Sequence, residues 1–494
     1  MVFGYAGLMI SLARNVLLVP VYLQKIPLTE YGAWLATGGA LALLLVNDYG
    51  LSGVVTQRIS ASYGAGDRTT LGSLAGSALA IGMLLALVLT AISSALIPFF
   101  PALTRLPGAE SHTVVSCFII AVTANGLGVI GGTAASVLRS LQKVVIFGSI
   151  NLAAEISNVT IIIVGLLMGH GLYALAFGLL ARSALLMSSA LIAVWIVCRR
   201  ELDIRIRVEA GAVRRLLGES ARFFVSSIAV KFQGQAPLFF VGSLLGPASA
   251  ALYSLTARAY DTILMFIILI NGSLVPSVTH LLGSGNTARF RTVILRLVVF
   301  LSALTALAMS VTFVLNPAFL ALWVGKDVFA GQAVSILLAA VLFVSTIAGI
   351  GYDAVLAQGK FRLVTHLFVI ASLVQAALML ALMKLGMWVA PLASLAIICF
   401  WGIGFWRSFA KEIAITRTEW RGLGVELARL VAVSVTGALI FTAFYPAAKS
   451  WPALAMEAAV CGVCLTVTYL FFSRQLRRIT YEELGSTLRV FRPT

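Results

Sequence analysis

RNVLLVPVYLQKIPLTEYGAWLATGGALALLLVNDYGLSGVVTQRISA, residues 14–61, holds two long apolar runs, a short polar step between them, and very little charge. A bilayer core of about 30 Å takes roughly 20 apolar residues per helical crossing. Each run meets that length once its flanks are included. Lys25 lies in the step and Arg58 follows the second run, whereas Arg14 and Asp48 stay inside the runs. Spanning segments separated by short loops, with a few charges held at depth, therefore describe this stretch. The same pattern continues through the chain's 494 residues, which are 60% hydrophobic, 11% charged and have a mean hydropathy of +1.03. Soluble domains carry about 25% charged residues. No polar stretch is long enough for a sizeable soluble domain.

Hydropathy predicts an all-α polytopic membrane protein of about fourteen spans. They fall near residues 2–23, 31–56, 71–99, 114–138, 144–168 and 172–197; then 223–245, 248–280, 293–315, 330–357, 363–385 and 387–405; and last 423–444 and 452–472. Lipid offers no partner to open backbone groups, so helices are expected, and the two-residue alternation of a membrane barrel is absent. Numbering the loops alternately, one side carries 25 basic residues and the other only Lys25, Arg105, Lys326, Lys384 and Lys449. Positive charge stays on the cytoplasmic side, which predicts a multi-pass protein with both termini cytoplasmic. It also accounts for a net charge of +17 without nucleic acid.

Domain organisation follows from the same reading. Residues 1–198 form an N-lobe of six spans, 199–220 a basic cytoplasmic linker, 221–410 a C-lobe of six spans, and 411–494 a C-terminal helix pair with a tail. In the linker, Val213, Leu216 and Leu217 beside Arg214 and Arg215 suggest either a short amphipathic helix on the membrane surface or a solvated connector. The halves echo each other. A shift of 219 sets Gly64-Ala65-Gly66-Asp67 on Gly283-Ser284-Gly285-Asn286, and Val137-Leu138 and Val355-Leu356 each precede a lysine, Lys143 or Lys360. Two six-helix lobes related by a pseudo-two-fold axis, flanking a central path, are expected.

The charges inside spans are the sharpest functional signal. Arg14, Arg182, Lys231 and Arg258, with Arg429 near a span end, face the acids Asp48, Glu155 and Asp261. A charge at the centre of a spanning helix costs roughly 2.5–3.5 kcal/mol on insertion scales. These groups are therefore expected to face one another or water. Arg14 and Asp48 lie at comparable depth on spans one and two, and Arg258 and Asp261 share a face of span eight at i, i+3. Each half thus sets a cation on its first span and an acid on its second. A cavity lined this way, biased positive, suits a diphosphate, for which arginine offers a planar fork. Neutralising pairs that lock helices together would give the same pattern, and Asp48 and Asp261 are also candidates for H+ or Na+ coupling. Gly126, Gly128, Gly131 and Gly132, with Pro20, Pro237 and Pro276, either bend helices or let them pack closely.

Several chemistries lack their residues. The four histidines are scattered, no nucleotide-binding loop is present, and Cys461 and Cys464 form a lone C-x-x-C inside a span, so no metal site or cofactor is expected. The first run begins at Met1 without a basic leader or cleavage motif, so no signal peptide is expected. The outer loops are too short for the catalytic domain of a membrane polymerase or ligase.

Residues 14–61 resemble the opening of Wzx-type polysaccharide flippases, within the multidrug/oligosaccharidyl-lipid/polysaccharide exporter superfamily. Arg14, Pro20, the Glu30-Tyr31-Gly32 step, Asp48-Tyr49-Gly50-Leu51 and Arg58 carry the resemblance, which extends more loosely through Gly246–Tyr253 and Val355–Lys360. It implies a non-enzymatic flippase in a bacterial inner membrane. That flippase moves an undecaprenyl-diphosphate-linked oligosaccharide between leaflets by alternating access, for O-antigen or exopolysaccharide synthesis. By the same resemblance, Arg14, Lys231 and Arg258 are substrate-binding cations and Asp48 and Asp261 pair or couple ions; the charges inside spans add Arg182 to the substrate-binding set and Glu155 to the pairing or coupling acids. Membrane lipids and a polysaccharide polymerase or co-polymerase are the implied partners. Fourteen spans exceed the usual twelve of O-antigen flippases and fit exopolysaccharide exporters and lipid II flippases, where an extra helix pair can form a lipid groove. A lipid II flippase, a cation-coupled multidrug exporter and a membrane enzyme of glycan assembly are the competing expectations.

Overall fold

Short local devices set where each helix of this chain begins. Asp67 caps the helix that begins at Arg68 by accepting from the Thr70 amide at 3.0 Å and the Thr69 hydroxyl at 2.8 Å. Ser450 caps the last helix, with Pro452 in its first turn. Gly246, at φ +100°, breaks the chain between two long helices, a conformation open to glycine at little steric cost. The computed structural model describes residues 10, 14, 17–44, 51–99, 108–283, 287–413, 415–444 and 448–473.

Among these residues lie fifteen α-helices and no strand. They are α1 (Val19–Lys25), α2 (Leu28–Leu44), α3 (Leu51–Gly64), α4 (Arg68–Leu96), α5 (Gly108–Ser140), α6 (Val144–Leu167) and α7 (Leu172–Ile196). Then come α8 (Ala210–Leu245), α9 (Pro247–Gly283), α10 (Thr287–Trp323), α11 (Gln332–Ala357), α12 (Phe361–Leu382), α13 (Val389–Ile413), α14 (Arg417–Phe444) and α15 (Trp451–Phe472). Twelve helices among the described residues are long and apolar enough to cross a membrane. Two of the fourteen expected spans, those at residues 2–23 and 31–56, run into residues outside the described set, so the count of fourteen stands on the sequence.

The basic linker does not form a helix of its own. A π-turn at Val197–Glu201 ends α7, an extended strip follows, and residues from Ala210 onward belong to α8, which runs unbroken for 36 residues. The strip is held by backbone: the Arg207 amide donates to the Gly72 carbonyl at 3.2 Å. A Cβ on Gly72 would sit 2.4 Å from the Arg205 carbonyl oxygen, so only glycine admits this approach. Leu216, fully buried, joins a core with Leu51, Val55, Leu71, Leu138 and Val194. The linker is thereby packed onto the basic ends of α3, α4 and α5.

The chain divides into two compact units, Met1–Ala251 and Leu252–Thr494. Within them the halves repeat in backbone detail. Lys143 and Lys360 take the same conformation before α6 and α12 (φ −84°, ψ 49° and φ −82°, ψ 50°). Each follows a left-handed residue, Gln142 or Gly359. Their amides reach back to Leu138 and Val355 carbonyls at 3.0 and 3.4 Å. Lys143 pairs with Glu201 and Lys360 with Glu412. This geometry sets the local offset between halves at 217, so Leu138, not Val137, corresponds to Val355. In the second unit α14 and α15 pack against α10, where Phe319 meets Trp451 edge to face and Leu315, Ala318 and Leu454 form a small core.

Candidate functional site

At mid-length on α6 stands Glu155, and at mid-length on the adjacent α7 stands Arg182. The two helices approach closely at Gly178, where an added Cβ would lie 2.5 Å from Ile162 and 2.8 Å from the Asn158 side chain. Arg182 Nε donates to Glu155 Oε1 at 2.6 Å. Arg14 Nη1 reaches Glu155 Oε2 at 3.6 Å. One turn along α6, Asn158 completes the set: in the amide orientation assigned because it satisfies both ends, its nitrogen donates to the Gly178 carbonyl at 3.2 Å and its oxygen accepts from Arg14.

Glu155 and Asn158 are buried, at 5% and 2% exposure, while the side chains of Arg14 and Arg182 keep 22% and 27%. Among the described residues two guanidiniums thus share one carboxylate, a local charge of +1, with part of each guanidinium still exposed to an incoming group. Buried charges persist when paired and hydrogen-bonded; Glu155 hydrogen-bonds Arg182 and stands in ion-pair range of Arg14. A group bearing two negative charges could add itself to the exposed faces of both guanidiniums as a fork-to-fork ligand.

The remaining sequence-predicted residues are placed as follows. Asp48, expected to pair with Arg14, lies outside the described residues. Lys231 is exposed on α8, in the same unit as the arginine cluster, and has no ion-pair partner among the described residues. Both Arg14 and Lys231 stand six residues before a proline, Pro20 or Pro237, which is the same offset of 217 found at the lysine caps. In the second unit Arg258 and Asp261 share a face of α9. Arg258 is half-buried with its Nε lacking a partner, Asp261 is exposed, and the two form no ion pair. Asp353, on α11, accepts a hydrogen bond from Asn271 of α9.

The two units differ in chemistry on one scaffold. At offset 217, Asn158 corresponds to Gln375, again a buried amide, which donates to Ser394 Oγ at 3.2 Å. Glu155 and Arg182, however, correspond to Ser372 and Cys399. The clamped carboxylate therefore belongs to the first unit alone.

Sequence reasoning missed three polar groups. Asn158, inside an apolar run, gave no charge signal although it holds Arg14. Glu426 (5% exposed) and Glu457 (8%) lie buried in the C-terminal helix pair, and Arg429 Nη1 pairs with Glu426 at 3.1 Å. Beside Arg429 an apolar groove of about 560 Å³ runs between α14 and α15, past Thr436, Gly437 and Ile440 to Cys461 and Leu465. Among the described residues no group of three or more His, Cys, Asp or Glu could hold a metal ion.

Apolar crossings, basic loops and a buried cationic cluster define a multi-pass α-helical membrane transporter. Residues 17–282 match the family described as polysaccharide biosynthesis protein, and the chain belongs to that family. Its fold is also that of the lipid II flippase MurJ in an inward closed conformation (TM-score 0.68, 14% identity, covering 98% of this chain and 99% of that one). It is shared by an inward-facing multidrug resistance MATE family transporter of the MOP superfamily (0.63, 13%, 82% and 95%). A third is a MOP superfamily transporter from Pyrococcus furiosus, reported for the reverse polarity of its binding pocket (0.59, 14%, 84% and 95%). Such identities speak for fold alone. A search of curated protein sequences gives no match.

Proposed function

We propose that this protein is a flippase that carries an undecaprenyl-diphosphate-linked oligosaccharide from the cytoplasmic to the outer leaflet of a bacterial inner membrane. The product would serve surface polysaccharide synthesis, whether O-antigen or exopolysaccharide. One observation carries the reading: among the described residues, Arg14 and Arg182 converge on the carboxylate of Glu155, midway along an apolar helix long enough to cross a membrane. A neutral drug or sugar gives no reason to hold an unbalanced cation there, whereas a diphosphate does.

Lys231 and Arg258 are proposed as further cations along the path, with Asp261 and Asp48 as ion-coupling acids driven by H+ or Na+. The apolar groove between α14 and α15 suits a prenyl tail while the diphosphate and glycan travel through the protein. Both termini are assigned to the cytoplasm on the charge count, and a polymerase or co-polymerase would receive the flipped product on the opposite side of the membrane. A lipid II flippase is the second reading, favoured by a fold match that spans nearly the whole of both chains. A positive cluster argues against export of cationic drugs.

The test is export in cells lacking the native protein. Arg14→Ala, Arg182→Ala and Lys231→Ala are expected to insert at normal levels and to lose surface polysaccharide. Normal polysaccharide in all three variants would refute the reading. Accumulation of the lipid-linked peptidoglycan precursor, in place of loss of polysaccharide, would favour the second reading.

A further inference from the structure

A different kind of site lies at the basic end of α13, on the side of the membrane that carries the 25 basic residues. α11 and α13 meet closely there: a Cβ on Gly402 would lie 2.8 Å from the Ala348 methyl, and one on Gly351 would lie 2.8 Å from Trp406 Nε1. Trp406 is fixed in this seam, its ring nitrogen donating to the Ile347 carbonyl oxygen at 2.9 Å. Beside the seam a groove of about 760 Å³ runs along α13, lined by Ile398 and Ile403 and by Trp420 from the first turn of α14. Trp406 and Trp420 meet edge to face, centroids 5.8 Å apart. Arg407 and Lys411, one turn apart, stand at its basic end.

Length, polarity and charge each limit what could lie in it. From Cys399 to Lys411 the groove covers about 18 Å of helix at 1.5 Å per residue, close to one leaflet of a roughly 30 Å hydrocarbon core. Ile403 is 53% exposed and its neighbour Phe400 44%, an apolar surface that suits acyl chains and not water. Indole rings favour the headgroup level, which is where Trp406 and Trp420 sit relative to the two cations. The nearby acids are engaged elsewhere: Glu412 pairs with Lys360, and Glu419 with Arg291 at 3.4 Å. Among the described residues neither Arg407 nor Lys411 has an ion-pair partner.

We infer that this groove binds an anionic glycerophospholipid from the leaflet on the basic side. One acyl chain lies along α13 against Ile398 and Ile403, and the phosphate bridges Arg407 and Lys411. Two unpaired cations over an apolar slot one leaflet long complement that lipid class; a zwitterionic headgroup would bring its own ammonium against them. The bound lipid touches α11, α13 and α14 together, and so ties the first turn of the C-terminal helix pair to its unit. The site differs from the mid-membrane arginine cluster and does not depend on what the transporter carries.

The experiment uses the full-length protein in nanodiscs of phosphatidylcholine, titrated with phosphatidylglycerol while thermal unfolding and retained lipid are followed. Wild type is expected to rise in melting temperature and to retain phosphatidylglycerol. Arg407→Gln/Lys411→Gln is expected to bind it about thirty-fold more weakly, near fivefold for each of the two cations lost at the surface. Arg214→Gln/Arg215→Gln, which removes equal charge from another exposed site on the same side, is expected to behave as wild type. Ala410→Leu, which narrows the slot but keeps both cations, is expected to weaken retention as well. Equal loss in the Arg214/Arg215 control would overturn the proposal, because the attraction would then be diffuse. An equal rise with inorganic phosphate in place of lipid would overturn it too, as would displacement of the lipid by a prenyl diphosphate.

Discussion

Replacing Glu155 by glutamine removes the one charge that two arginines share and keeps its volume. At an effective dielectric near 20, unit charges at the 3.6 Å and 2.6 Å contacts attract by about 5 and about 6 kcal/mol gross. Most of that offsets the desolvation of a carboxylate whose side chain is 7% exposed. Removing one partner of a buried pair costs about 3–5 kcal/mol. Arg14 and Arg182 retain a fifth to a quarter of their exposure and can turn partly toward water, which lowers the expectation to about 2–4 kcal/mol. For a unit of this size, each kcal/mol moves the midpoint by about 2–4 °C. Detergent-solubilised Glu155→Gln is therefore expected to melt about 5–15 °C below wild type. The vacated guanidinium donors make a second result specific: inorganic diphosphate should raise the midpoint of Glu155→Gln more than that of wild type. A midpoint within a degree of wild type, or an equal response to diphosphate, would refute the view that Glu155 restrains two cations.

Three further outcomes follow from the same geometry. Gly178→Ala pushes a methyl against Ile162 and Asn158 where α6 and α7 meet; a loss of about 1–3 kcal/mol is expected, with reduced export, read by thermal unfolding and surface polysaccharide. Ala432→Phe fills the groove between α14 and α15, so transport of a long prenyl diphosphate in proteoliposomes should fall at least about tenfold while a short-chain analogue is spared; equal loss of both would refute a tail-binding role. Asp67 is held at a pKa of about 2, chiefly by hydrogen bonds from Thr70. Because its folded value lies below the ordinary 3.8, its contribution is present above pH 4 and is lost as pH falls through about 2. Asp67→Ala should accordingly speed amide exchange in the first turn of α4 at pH 6, and the difference from wild type should shrink as the pH is lowered toward 2.

The spans and the basic loops were legible because both are one-dimensional signals: length of apolar run, and sign of charge between runs. The lysine caps at Lys143 and Lys360 were visible as a repeat, but their register was not. It depends on a left-handed residue, glutamine in one half and glycine in the other, that no residue-type pattern links. The linker read as either a separate surface helix or a solvated connector because its apolar residues are few. In the fold nothing between Ala210 and Leu245 ends the helix, and Leu216 turns inward to the core. Arg14, Arg182 and Glu155 were identified as charges needing partners. Their pairing escaped the sequence because Arg14 and Glu155 are 141 positions apart, and Arg182 meets Glu155 only when α6 and α7 are packed. Asn158 carries no charge, so the cost argument that finds buried ions passes over it.

Binding of a prenyl diphosphate to wild type and to Arg14→Ala/Arg182→Ala, set beside the corresponding prenyl monophosphate, tests the central claim most directly. A cluster that holds two guanidiniums on one carboxylate should prefer the diphosphate in wild type and lose that preference in the double variant. Equal affinity for the two lipids in wild type, or an unchanged preference after both arginines are removed, would contradict it.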